Sequence, residues 1–166
     1  MKSFTSYITE AFNKPYKWKQ TSKRRDTKRW SAEFTTTDSK LKYEFNSIDL
    51  YGEEDWDVSF HLKTGPKYSD TNMGITGTAG ADAFRILATV RAMFMEFVSQ
   101  NDPNHIEFVA EKYGDSPTGK ARSPIYTRFA KEFAKTNDYD LKINDASHQT
   151  AYHFWRKKLA KKKNRN

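Results

Sequence analysis

From residue 29 onward, apolar and polar positions alternate with a period of two. Trp30, Ala32, Phe34 and Thr36 fall on one side, and Arg29, Ser31, Glu33 and Thr35 on the other. Past the turn residues Asp38 and Ser39, Leu41, Tyr43 and Phe45 alternate with Lys40, Lys42 and Glu44. This pattern predicts two half-buried strands joined as a hairpin. A third run sets Trp56, Val58, Phe60 and Leu62 against Asp57, Ser59, His61 and Lys63, after the polar cluster Gly52 to Asp55. Three antiparallel strands follow, each with one buried face. Residues 64 to 79, TGPKYSDTNMGITGTA, are dominated by turn formers and predict a loop with a short strand near Met73 to Thr76.

The period then lengthens to between three and four. Phe84, Leu87, Val90, Met93, Phe94, Phe97 and Val98 form one stripe along a helix that starts near Asp82 and stops at Asp102-Pro103-Asn104. His105 to Ala110 reads as a buried strand, and Lys112 to Arg122 as a second flexible loop. Ser123-Pro124 suits a helix start, because serine caps free amides and proline is tolerated at the first helical position. Ile125, Tyr126, Phe129, Ala130 and Phe133 line one face of the helix that follows. Tyr139 to Ile143 reads as a strand, and Gln149 to Trp155 as a last edge strand in preference to a helix. The order β-β-β-α-β-α-β-β predicts an α+β fold: a mixed, mainly antiparallel sheet with two packed helices and a right-handed crossover. The 166 residues suffice for one such domain, at residues 30–155.

Charge changes this picture at both ends. The net charge is +8, which favours a polyanionic partner. Lys14, Lys17, Lys19, Lys23, Arg24, Arg25, Lys28 and Arg29 crowd a basic arm, residues 11–29, against the single acid Asp26. Arg156, Lys157, Lys158, Lys161, Lys162, Lys163 and Arg165 fill a basic tail, residues 156–166. Between them, Trp30 to Trp155 holds 13 lysines and arginines against 19 aspartates and glutamates, a net charge of −6. Like charges repel, so both termini are expected to be flexible and solvated around an acidic body. In that state they would bind nucleic acid through its phosphates, without reading sequence. The competing reading is a pair of solubilising tails, or arms that fold back on the acidic body. Tyr16, Trp18 and Trp30 interleave the first arm; they suit stacking on unpaired bases and, still better, packing the arm onto the domain.

Other chemistry has little footing. The chain has no cysteine, which removes disulfides, thiolate nucleophiles and most structural zinc sites. His61, His105, His148 and His153 form no helical pair of metal ligands, and Glu53, Glu54, Asp55 and Asp57 read as a solvated turn, so no metal is expected. No apolar run reaches the roughly 20 residues of a membrane helix, and no secretory apolar centre is present, so a soluble protein without a membrane partner is expected.

The order of elements, with a Gly-rich loop before the long helix and Ser-x-x-Tyr opening the second, resembles the Gcn5-related N-acetyltransferase fold over about residues 30 to 155. In that family, loop amides at the helix N-terminus hold the pyrophosphate of coenzyme A. The resemblance implies Gly77, Thr78, Ala79 and Gly80 as the cofactor-binding stretch, acetyl-CoA as the cofactor, and Tyr126 as the catalytic acid for the leaving thiolate. A base on the third strand would come from Asp57, Ser59 or His61. Gly74 stands where the family carries arginine or glutamine, and a Gly-rich turn or a tyrosine at helical spacing also serves plain packing.

The opening MKSFTSYITE, followed by Ala11, resembles the capsid-targeting leader of internal head proteins of T-even-type tailed bacteriophages. Such leaders begin Met-Lys, carry an aromatic at position 4, and end in Ile/Leu-x-Glu before a small residue. The resemblance implies residues 1–10 as a leader cut by the prohead protease, with Ile8, Glu10 and Ala11 as the processing site and the phage scaffold core as docking partner. Ten residues are too short for a stable isolated helix, so the leader would order on docking. The competing reading is a frayed helix packing Phe4, Tyr7 and Ile8 on the domain. The remainder resembles uncharacterised T-even-like marine phage proteins at Lys14-Pro15-Tyr16-Lys17-Trp18-Lys19, Ala83-Phe84-Arg85 and Arg122 to Tyr126.

Three functions are expected to compete. The first is a virion protein inside the phage head, held on DNA by its arms and then injected to act on the host. The second is an acetyltransferase-like enzyme. The third is a non-packaged phage protein of the host cytoplasm that binds a host protein or nucleic acid.

Overall fold

The computed structural model describes residues 14–22, 28–37, 42–52, 54–63, 81–111 and 117–157. The fold is α+β; the described residues form seven strands and two helices, with antiparallel pairing in every described strand pair. The chain divides between Asp102 and Pro103 into two compact units.

The first unit holds β1 (Trp18–Gln20), β2 (Arg29–Thr35), β3 (Lys42–Asp49), β4 (Asp55–Leu62) and the helix α1 (Ala81–Asn101). The period-two runs become β2, β3 and β4 as expected. The register sets Trp30 opposite Ser47, Phe34 opposite Tyr43 and Phe45 opposite Phe60, so one face of the strands is aromatic. Phe34, Tyr43 and Phe60 stack in parallel across the three strands, with centroids 5.2 and 5.3 Å apart. Phe97 on α1 is fully buried and meets Trp30, Phe45 and Trp56 at 5.9, 6.3 and 5.1 Å.

The α1 stripe differs from the expected one in its first half. Ile86, Thr89 and Met93 are fully buried there, whereas Phe84, Leu87 and Val90 are half-buried. Both rows are apolar enough to pack, and a hydrogen bond breaks the tie. Thr89 Oγ1 donates to the Arg85 carbonyl and accepts from the Tyr16 amide, both at 2.8 Å, so threonine is satisfied inside.

The turn from β3 to β4 explains the acidic cluster. The buried Asp49 carboxylate accepts from the Gly52 amide at 2.9 Å and the Glu54 amide at 3.2 Å. Gly52 and Glu54 have φ of +71° and +62°, and glycine reaches that region without Cβ strain. Asp49 thus satisfies the amides of a tight turn, the local role that aspartate commonly fills. Among the described residues, no group of three or more His, Asp or Glu side chains is placed to hold a metal.

The second unit holds β5 (His105–Glu111), α2 (Pro117–Thr136), β6 (Tyr139–Asp145) and β7 (Gln149–Arg156), with β7 pairing both β5 and β6. Ile106, Tyr152 and Phe154 are fully buried on one face of these strands. Phe133 of α2 packs edge-on against Phe154 at 5.1 Å and stacks on Tyr139 at 5.4 Å. The strand expected at Gln149 to Trp155 is β7, but it is not the edge strand: it pairs with β5 on one side and with β6 on the other, which leaves β6 at the edge. One boundary needs correction: α2 begins at Pro117, so residues 117–122 are helical, not loop, and Pro124 lies inside the helix. Ser-Pro occurs at Ser116-Pro117 as well as at Ser123-Pro124, and the earlier pair supplies the same first-position proline seven residues sooner.

Met73 to Thr76, the Asp38-Ser39 turn and Leu41 lie outside the described residues. Among the described residues, no helix is long and apolar enough to cross a membrane.

Candidate nucleic-acid interface

The first basic arm contains a strand. Trp18 to Gln20 form β1, which pairs antiparallel with β2, setting Trp18 opposite Phe34 and Gln20 opposite Ala32. Tyr16 is buried, stacked on Phe34 at 5.7 Å, with the Arg85 guanidinium 3.9 Å from the centre of its ring. Arg85 Nε also donates to the Lys14 carbonyl at 3.0 Å. Trp18 meets Trp30 edge-on at 6.2 Å, and Thr21 donates its amide to the Ser31 carbonyl at 2.8 Å. For residues 14–22, then, the expectation of a solvated arm gives way to a segment seated by its aromatics. Cations alone repel, but Tyr16 and Trp18 between them add apolar area over the buried Phe34 and Trp30.

The lysines on that segment divide into two groups. Lys14 and Lys17 are exposed, as are Lys28 and Arg29 at the start of β2. Lys19 is exposed as well, but it is paired within the protein. Its Nζ lies 3.0 Å from Glu33 Oε1, while Lys42 Nζ lies 2.8 Å from Glu33 Oε2. Lys19, Glu33, Glu44 and His61 stand in one register row across β1 to β4, on the face opposite the aromatic one. Two carboxylates directly opposite would repel. Lys19 and Lys42 flank Glu33, which offsets that cost, and the His61 ring lies 3.7 Å from Glu44.

Glu33 titrates below its ordinary value of 4.5, chiefly through the hydrogen bond from Lys42; burial opposes this, and Lys19 adds to it. Because the folded-state pKa is the depressed one, the stabilisation is present above the unfolded value and is lost as pH falls through the folded one. Glu33→Gln is expected to cost about 1–2 kcal/mol near pH 7, as a charge-assisted hydrogen bond does. It should also flatten the loss of stability below about pH 4.5, which urea unfolding between pH 3 and pH 7 measures.

At the other end, Arg156 closes β7 and does not project as a tail cation. Its guanidinium donates to the Tyr139 hydroxyl at 2.8 Å, and that hydroxyl donates to the Pro103 carbonyl at 2.6 Å. Alternation turns the next residue outward, and Lys157 is exposed, with its amide donating to the Asp138 carbonyl. Lys23, Arg24, Arg25, Lys158, Lys161, Lys162, Lys163 and Arg165 lie outside the described residues, as do the processing residues Ile8, Glu10 and Ala11.

The residues implied for acetyl transfer are described only in part. Gly77, Thr78, Ala79 and Gly80 lie outside them. Tyr126, half-buried on α2, meets Phe108 edge-on at 6.2 Å, a packing contact within the second unit. His61 lies beside Glu44 in the first.

Sequence reasoning missed one cluster in the second unit. The face of β5, β7 and β6 that turns away from Ile106 and Phe154 carries His105, Glu107, His153, Trp155, Asp140 and Lys142. The His105 and Trp155 rings stack at 3.7 Å, and His153 Nδ1 lies 3.4 Å from His105 Nε2 and 3.7 Å from Glu107. Alternation within QTAYHFW places His153 and Trp155 together, but their pairing with His105 is a register fact 48 residues away. No family model matches the chain, and neither a curated protein nor a solved structure is significantly similar to it.

Proposed function

We propose that this is a bacteriophage protein carried inside the virion head, trimmed after Glu10, and held on packaged DNA by its terminal cations. Action on the host after injection would follow from that location. The single observation that best supports the reading is the exposure of Lys14 and Lys17 on a segment whose Tyr16 is buried. Such an arrangement presents positive charge from a fixed base instead of dispersing it. The likeness of MKSFTSYITE to a capsid-targeting leader supplies the location.

Nonspecific phosphate binding has a quantitative signature: log K falls linearly with log salt, with a slope of about −0.9 per phosphate neutralised on duplex DNA. A slope steeper than about −3 is expected for the full chain, and truncation after Lys157 should make it shallower. A flat salt dependence refutes the interface. Mass spectrometry of purified virions tests the location, with a mature N-terminus at Ala11 expected; absence from the particle refutes it in favour of a non-packaged host-acting protein, and an intact Met1 in the particle refutes the trimming.

A second reading, an acetyl-CoA-dependent N-acetyltransferase, draws on the order of β2 to β7 with the two helices, which repeats the order that suggested that family. The absence of a thermal shift with millimolar acetyl-CoA would remove it.

A further inference from the structure

We infer that the outward face of β5, β7 and β6 is a stacking platform for an unpaired nucleobase, which makes single-stranded nucleic acid the favoured polyanion. This rests on the nucleic-acid reading above. β7 buries Tyr152 and Phe154 and turns Trp155 the other way, leaving that residue 51% exposed. The indole is nonetheless held in place: the buried His105 ring covers one of its faces at 3.7 Å and 17°. His153 lies parallel to His105 at 5.6 Å and backs it. A ring supported on one side, with half its surface open, is already positioned for a planar aromatic ligand. Stacking on such a ring tolerates any base, because every base presents a π-face.

The chain around Trp155 indicates the class of ligand. Lys157 follows two residues later on the same side of the strand, about 7 Å along it, and is exposed. Five more cations follow in the sequence, from Lys158 to Arg165. The face carries Glu107 and Asp140 against Lys142, with Lys157 just past the end of β7, so it has no positive excess of its own. It therefore adds a stacking surface, while phosphate neutralisation falls to Lys157 and the residues after it. A duplex keeps its base faces against each other and offers Trp155 nothing to stack on, whereas a single strand offers a base and a phosphate together.

The test measures binding of the full chain to a fluorescein-labelled 20-residue oligothymidylate and to a 20-base-pair duplex at one fixed, low salt concentration. Wild type, Trp155→Ala and Trp155→Phe are compared. Tighter binding of the single strand is expected. Trp155→Ala should lose about tenfold in affinity for it and none for the duplex, while Trp155→Phe, which keeps a ring, should stay within about threefold of wild type. Equal losses on both ligands, or no loss on the single strand by a variant that unfolds at the wild-type temperature, overturn the platform and leave the salt-dependent interface standing. No binding of either oligonucleotide by wild type overturns the nucleic-acid reading, and the platform with it.

Discussion

Phe97→Ala is expected to cost about 3–5 kcal/mol, as removal of a fully buried aromatic ring does. Phe97 is the point where α1 meets three strands: Trp30 on β2, Phe45 on β3 and Trp56 on β4 all lie within 6.3 Å of its ring, as does Phe94 one turn back on the helix. Four rings locked around one void have little freedom to collapse into it, so the cost should lie in the upper part of that range. Urea unfolding followed by tryptophan fluorescence measures it directly, since Trp30 and Trp56 line the site. Phe97→Leu, which refills much of the volume, should recover most of the loss. If Phe97→Ala costs less than 1 kcal/mol, the packing of α1 on β2, β3 and β4 described above is wrong.

Tyr16→Ala is expected to cost about 3 kcal/mol, near the low end for a buried aromatic. It should release the basic segment without removing any charge. Tyr16 is held on three sides, by Phe34 through stacking, by Arg85 over its ring, and by Thr89 at its amide. Without the ring, the segment loses its buried anchor and keeps three residues of pairing with β2, the Trp18–Trp30 contact and the bond from Thr21 to Ser31, a weaker hold against chain entropy. Trypsin should then cut faster after Lys17 and Lys19, whereas Lys17→Ala, an exposed change in the same segment, should alter stability by no more than about 0.5 kcal/mol. The salt slope of DNA binding should survive Tyr16→Ala, because every cation remains. This separates the ring's anchoring role from the electrostatic role of its neighbours. Wild-type trypsin sensitivity in Tyr16→Ala would mean that the arm is not seated by this residue.

Where one pattern ran for a whole element, the fold was legible. Trp30 to Thr36, Tyr43 to Phe45 and Trp56 to Leu62 alternate cleanly, and burial of one face is the only way to satisfy that alternation. Where two local signals competed, the pattern misled. Ser116-Pro117 and Ser123-Pro124 are equivalent helix starts, and only the packed structure selects the first. On α1 two apolar rows were available, and the inward one contains Thr89, a residue whose polarity argues for the surface until its two hydrogen bonds are counted.

The candidate interface was legible as composition and misplaced as geometry. Charge counting grouped Lys19 and Arg156 with the free cations. Lys19 instead neutralises Glu33, and Arg156 fixes the Tyr139 hydroxyl, because a buried carboxylate and a buried hydroxyl draw in whichever donor the register supplies. Trp155 passed as one more alternating aromatic, for nothing in QTAYHFW says that His105 lies beneath it.

The sequence by itself determined the α+β class, the order of seven of the nine described elements within a few residues, and the segregation of positive charge to the two ends. Each of these depends only on neighbours along the chain, through periodicity and like-charge repulsion. The tertiary structure alone decided which cations remain exposed, that Tyr16 seats the basic segment under Arg85, and that His105 supports Trp155. Those outcomes depend on strand register and on side chains up to 73 residues apart, and cross-strand pairing is a relation that local pattern does not encode.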